Sequence, residues 1–154
     1  MTDVTLPKNK KAMVLLVGPP ASGKSTWGKE FAQKVGATYV STDAIRKAMT
    51  GDEGDQTYNP FGIAITKVQR ALSMGRYVVV DATNINRAFR KVFIKIADEH
   101  EAYKIAVCFE VPREELLKRD AQRERHVGVE VIDDFLQKYK KPESDEVDKV
   151  IIKH

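Results

Sequence analysis

The chain has 154 residues, of which 42% are hydrophobic and 31% charged, with a formal net charge of +4. That is chain enough for one domain with its own core, and the composition is that of a folded protein rather than a disordered one. No apolar run approaches the roughly eighteen residues that cross a bilayer, and the single cysteine excludes an internal disulfide framework.

Residues 1–11 are polar and lack the apolar centre of a secretion signal, so a polar tail and a reducing, cytoplasmic setting are expected. Residues 13–17 (Met-Val-Leu-Leu-Val) read as a buried strand. The run Gly18-Pro19-Pro20-Ala21-Ser22-Gly23-Lys24-Ser25-Thr26 follows, opening onto a helix over 24–35. Glycine, four residues, then Gly-Lys-Ser is the phosphate-cradling P-loop, here between a strand and a helix as its mechanism requires. Gly18 and Gly23 let the backbone turn and approach closely, and successive N–H groups, Ser22 and Thr26 among the loop residues, then face phosphate oxygens. Lys24 reaches the β- and γ-phosphates and the Ser25 hydroxyl ligates Mg²⁺ in this pattern. The motif therefore reads as a nucleoside-triphosphate site.

Beyond Gly36, residues 38–41 form a short strand and 43–49 a helix. Residues 50–59 (TGDEGDQTYN) are an acidic, turn-rich loop. Phe61, Ala64, Ile65, Val68, Ala71 and Leu72 form a helical stripe, and residues 76–80 a β-branched strand. Ile85, Ala88, Phe89, Val92, Phe93 and Ile96 make an amphipathic helix with Arg87, Lys91 and Lys95 opposite. A strand over 104–110, a helix over 113–125, a break at 126–128, a helix through Ile132, Phe135, Leu136 and Tyr139, and a strand over 147–152 complete the chain. Trp27 with Phe31, and Cys108, read as core. The alternation predicts an α/β fold: a P-loop NTPase-type αβα sandwich with a five-stranded parallel sheet and a helical lid, in one domain over 1–154. Ligands of such sheets lie beyond the carboxyl ends of the strands.

Asp43 lies on that side, where it either caps the helix after Ser41 and Thr42 or receives a proton from a phosphoryl acceptor. Arg46, three residues on, either is solvated or holds an anionic group. Asp81 ends a strand, as a turn residue or as an acid near Mg²⁺, and Thr83 and Asn84 follow it toward substrate. Arg119 and Arg123, four apart, either line a solvated face or reach the triphosphate. The three histidines show no metal-ligand spacing. Between residues 67 and 95 there are seven basic residues and one acid, and between 130 and 148 seven acids and three lysines. The first segment is expected to steer a polyanion.

These pieces together resemble the 5′-hydroxyl polynucleotide kinases, the kinase module of phage end-healing enzymes and bacterial RNA-repair proteins. The resemblance spans residues 14–152 and rests on the P-loop through Trp27, Ser41-Thr42-Asp43 with Arg46, residues 51–57, Val79-Val80-Asp81-Ala82-Thr83-Asn84 and residues 116–123. It implies transfer of the γ-phosphate of ATP, or another triphosphate, with Mg²⁺ to the 5′-hydroxyl end of DNA or RNA. Lys24 and Ser25 would bind donor and metal, Asp43 would be the general base, and Arg46 would grip the neighbouring acceptor phosphate. Arg119 and Arg123 would clamp the donor, Arg123 with a catalytic part. Family members are commonly fused to a phosphatase or ligase-like domain, so separate partners of those kinds are expected here. Kinases of small hydroxyl compounds share the scaffold and are the alternative.

Overall fold

The computed structural model describes residues 4–154. Its centre is β1 (Ala12–Val17), every residue of which is buried. The other strands are β2 (Thr38–Ser41), β3 (Val78–Asp81), β4 (Tyr103–Phe109) and β5 (Lys149–Lys153). All pairings are parallel and the order is β2-β3-β1-β4-β5. A strand buried on both faces needs apolar residues at every position, which is why β1 reads as a continuous run. Its side chains still alternate. Met13 and Leu15 join Val78 and Val80 in one core; Val14 and Leu16 join Val79 in the other.

The first core is roofed by α2 (Thr42–Thr50), α3 (Phe61–Ser73) and α4 (Arg87–Glu99), through Ile45, Val68, Leu72, Phe93 and Ile96. The second is covered by α1 (Lys24–Val35), where Phe31 stacks on Trp27 with centroids 4.8 Å apart. Helices α5 (Arg113–Gln122) and α6 (Val129–Lys138) share a small core of Val111, Leu116 and Ile132, forming the lid. The five-stranded parallel sandwich expected from the alternation is thus the observed fold.

Four expectations change. Of the tail expected over 1–11, residues 1–3 lie outside the described residues, and from Val4 onward the segment is docked. Val4 is buried in the α1 core, and the Tyr77 hydroxyl donates to the Pro7 carbonyl at 2.7 Å. Helix α4 turns a different face inward: it buries Arg90, Phe93, Ile96 and Ala97, leaving Phe89 49% and Val92 42% exposed. The reason is an ion pair from the far end of the chain, Arg90 Nε to Glu146 at 2.8 Å, with Arg90 Nη1 also donating to the Asn84 and Lys140 carbonyls.

The basic segment is correspondingly not free to act as a whole. With Arg87 bonded to Asp145 and Glu143 and Arg90 to Glu146, two of the segment's seven cations are paired with the acidic segment. Finally, α5 stops at Gln122 instead of running to 125, and Arg123 is extended with ψ 147°. The Asp120 carboxylate causes this by accepting the Val127 and Gly128 backbone N–H groups, each at 3.0 Å, which offers the chain an alternative to further helix.

Candidate active site

Strands β1 and β3 are neighbours, with Leu16 level with Asp81, so the loops leaving both open on the same side of the sheet. There they meet α2 and the lid around a cleft of about 860 Å³. Its lining includes the P-loop from Pro20 to Thr26, Asp43, Arg46, Asp81, Thr83, Asn84, Arg119 and Arg123. Every candidate side chain but Gly18 therefore lines one cavity. Gly18 lies buried behind it, where a Cβ would sit 3.0 Å from Ser22 Oγ and 3.1 Å from Phe109 Cβ.

The P-loop has the geometry of an anion cradle. Gly23 caps α1 in the left-handed region at φ 89°, and Ala21 adopts φ 69°, a conformation that is costly for a residue with a Cβ. The backbone N–H groups at the start of α1 are turned toward the loop, where the helix dipole adds positive potential. Lys24 is buried, with Nζ 3.7 Å from Asp81 Oδ1. Tyr39 donates its hydroxyl to the other Asp81 oxygen. Burial raises the Tyr39 phenol above its ordinary value, and its hydrogen bond to Asp81 and that residue's negative charge raise it further. Tyr39 is a site residue that the sequence reading missed. It sits on the same face as Val79 and Asp81, but only the β2–β3 register shows this.

Asp43 does not cap α2. Ser41 does, accepting the Ala44 N–H at 3.1 Å, so the Asp43 carboxylate is left for the cleft. It accepts from Arg46 Nη1 at 2.9 Å. The Asn84 amide, by contrast, donates to the Leu16 carbonyl at 2.8 Å, and Gly18 N–H donates to the Thr83 carbonyl at 3.1 Å. These two residues fasten the β3 loop to the P-loop.

From the lid, Arg119 Nη1 reaches the Ser22 carbonyl at 3.2 Å while Nε holds Glu115. Arg123 Nη1 lies 3.8 Å from Asp120. Burial alone would raise Asp120, but the Val127 and Gly128 N–H groups outweigh it, with Arg123 and His126 adding to them, and hold its carboxyl below the usual range. A further lid residue, Arg125, spans toward Asp52 and Glu53 at 4.0 and 3.9 Å, passing over Gly54 where any Cβ would collide with it.

Three buried polar side-chain atoms among the described residues have no hydrogen-bond partner: Ser22 Oγ, Arg46 Nε and Arg123 Nη1. All three belong to residues lining this cleft. Buried donors are costly to leave unpaired, and two of these are guanidinium groups, so the site is built to receive anionic oxygens.

The AAA_33 model, an AAA domain, matches residues 13–142. The chain belongs to the AAA_33 family. Within it, the chain is a P-loop kinase domain. This AAA_33 domain is 28% identical over 137 residues to the L-seryl-tRNA(Sec) kinase of Methanococcus maripaludis, covering 84% of this chain and 53% of that protein. The chain thus spans about half the length of that relative. Its fold matches a chain in the structure of the Pnkp1/Rnl/Hen1 RNA repair complex, with TM-score 0.72 and 24% identity over 86% of this chain and 45% of that one. It also matches a gluconokinase from Sinorhizobium meliloti, with TM-score 0.63 and 17% identity over 92% and 81%. No helix among the described residues is long and apolar enough to cross a membrane.

Proposed function

We propose that this domain transfers the γ-phosphate of ATP, or another nucleoside triphosphate, to the 5′-hydroxyl end of DNA or RNA. The observation that carries the reading is the Asp43–Arg46 pair: a carboxylate held at 2.9 Å by a guanidinium whose Nε is still unpartnered, in the cleft that Lys24 enters. Phosphoryl transfer asks for alignment, charge neutralisation and a proton acceptor, and each has a residue here. Asp43 takes the proton of the acceptor hydroxyl as the hydroxyl oxygen bonds the γ-phosphorus. The bond from that phosphorus to the β–γ bridging oxygen breaks, and the nucleoside diphosphate leaves. Lys24, with Arg119 and Arg123 from the lid, lies against the charge that builds on the transferring group. Arg46 Nε takes the acceptor's neighbouring phosphate.

Mg²⁺ fits the donor set. Ser25 and Asp81, which both line the cleft, offer one hydroxyl and one carboxylate. A magnesium ion with few protein ligands and phosphate and water for the rest is the usual arrangement in such sites. When bound, it would neutralise charge on the β- and γ-phosphates.

The test supplies γ-labelled ATP and Mg²⁺ with a 5′-hydroxyl oligonucleotide, a 5′-phosphorylated control and Asp43→Ala. Label on the 5′-hydroxyl strand alone, lost in the variant, is the expected result. No label on any strand, with ATP still bound, overturns the polynucleotide acceptor and leaves a small hydroxyl compound.

A further inference from the structure

Phe89 is an unusual residue for its place. It stands on α4, the helix whose inward face is otherwise filled by Arg90, Phe93 and Ile96, yet it is 49% exposed and lines the cleft. It is not alone there. Phe61, half-buried at the start of α3, lines the same cleft, with its ring centroid 6.3 Å from that of Phe89. Phe61 in turn lies 6.2 Å from Phe93, which is wholly buried. Three rings thus run from the core to the cavity, tilted by 35° and 33° to one another.

A ring anchored in this way presents a rigid apolar face and loses little freedom on contact. The surrounding charge narrows what it meets. The same cleft is lined by Arg46, whose Nε has no hydrogen-bond partner, and by Arg125. A ligand matching both features carries a flat, π-faced ring together with a phosphate. A sugar acid supplies an anion but no π-faced ring.

We infer that Phe89, backed by Phe61 and Phe93, is the stacking platform for the base of the acceptor's terminal nucleotide, and so selects nucleic-acid ends over small hydroxyl compounds. This rests on the reading of the cleft as a polynucleotide kinase site. Stacking on an aromatic side chain tolerates every base, so the platform sets acceptor class and not sequence.

The experiment compares two 5′-hydroxyl oligonucleotides, one with a normal terminal nucleotide and one with an abasic terminal sugar. It uses wild type, Phe89→Leu, Phe89→Ala and Phe89→Trp. Alongside, 2-aminopurine is placed at the 5′ end and its fluorescence followed on binding without ATP. The expected wild-type ratio of kcat/KM, base-bearing over abasic, is about 10- to 100-fold. That ratio falls toward one in Phe89→Leu and Phe89→Ala and is kept in Phe89→Trp. Quenching of 2-aminopurine follows the same order, and unchanged melting temperatures show that the variants fold.

Phosphorylation of both ends at equal rates by wild type overturns the platform while leaving the kinase reading intact. No phosphorylation of either strand, with quenching that Phe89→Leu abolishes, overturns the kinase reading and keeps the platform. Neither transfer nor quenching overturns both.

Discussion

Asp43 and Arg46 face each other across one turn of α2 because Ser41 has already capped the helix, freeing the aspartate that its spacing alone would equally assign to the cap. Asp43→Asn keeps the shape and removes the base. It should lower kcat by about 10²- to 10⁴-fold while calorimetry finds ATP bound as before. Unchanged turnover in that variant would remove Asp43 from the chemistry. Tyr39 is a different kind of residue, acting through Asp81. On the proposal that Asp81 helps to hold Mg²⁺, Tyr39 orients that carboxylate from behind, and such groups usually matter about 10- to 100-fold to metal affinity. Tyr39→Phe should therefore raise the Mg²⁺ concentration needed for tight nucleotide binding by about tenfold, read from the metal dependence of the binding heat. Cys108 needs no function. Burial pushes its thiol up to about 11, so it stays protonated and unreactive at neutral pH while the domain is folded.

At the scale of elements, the lid departs most from its sequence. Residues 113–125 have the composition of one continuous mixed-charge helix, and Arg119 and Arg123 would then share a face. Asp120 prevents this. By collecting two backbone N–H groups it ends α5 and turns the chain, so Arg119 points to the P-loop from the helix and Arg123 enters from its cap. Asp120→Ala should cost about 2 kcal/mol in urea unfolding and expose the Val127 and Gly128 amides to rapid hydrogen exchange. Protection that persists in the variant would mean the joint is held elsewhere. Helix α4 illustrates the same limit from the other side. Its apolar stripe is plain, but a stripe does not say which edge is buried when an arginine can be buried in place of a phenylalanine.

Over the whole molecule, the acidic and basic halves of the sequence answer one another. Glu146 pairs with the fully buried Arg90, which also ties the Asn84 carbonyl behind the cleft to the Lys140 carbonyl. Removing one partner strands the other charge, so Arg90→Ala should lose about 3–5 kcal/mol of stability in urea. Burial would raise Glu146, but Arg90 and the Glu143 N–H outweigh it, and its carboxyl lies below the ordinary 4.5. A carboxylate depressed in the folded state adds stability that is complete above that ordinary value and is lost as pH falls through the folded one. Acid titration should therefore destabilise the domain progressively below about pH 4.5, and less steeply in Glu146→Gln.

On the proposed reading, the charge that matters to a polyanionic acceptor is the charge lining the cleft. Lys91 and Lys95 are exposed on α4 and are not among the residues lining the cleft, whereas Arg46 is. Replacing the two lysines should leave the acceptor's salt dependence alone, and Arg46→Ala should flatten its slope by about one.

The sequence by itself determined the strands, the P-loop and the α/β alternation, because these are written in short-range patterns: continuous apolar runs, glycine spacing and helical stripes. Since strand ends in a parallel sheet are confined to one side, it also named most of the polar residues that line the cleft, though not Arg125 or His126. Tertiary structure alone decided the Tyr39–Asp81 contact, the burial of Arg90 against Glu146 and the exposure of Phe89 toward the cleft. These contacts join residues 42, 56 and 28 positions apart, through strand register, a returning C-terminal segment and the packing of α3 on α4. Local periodicity carries no information about such partners.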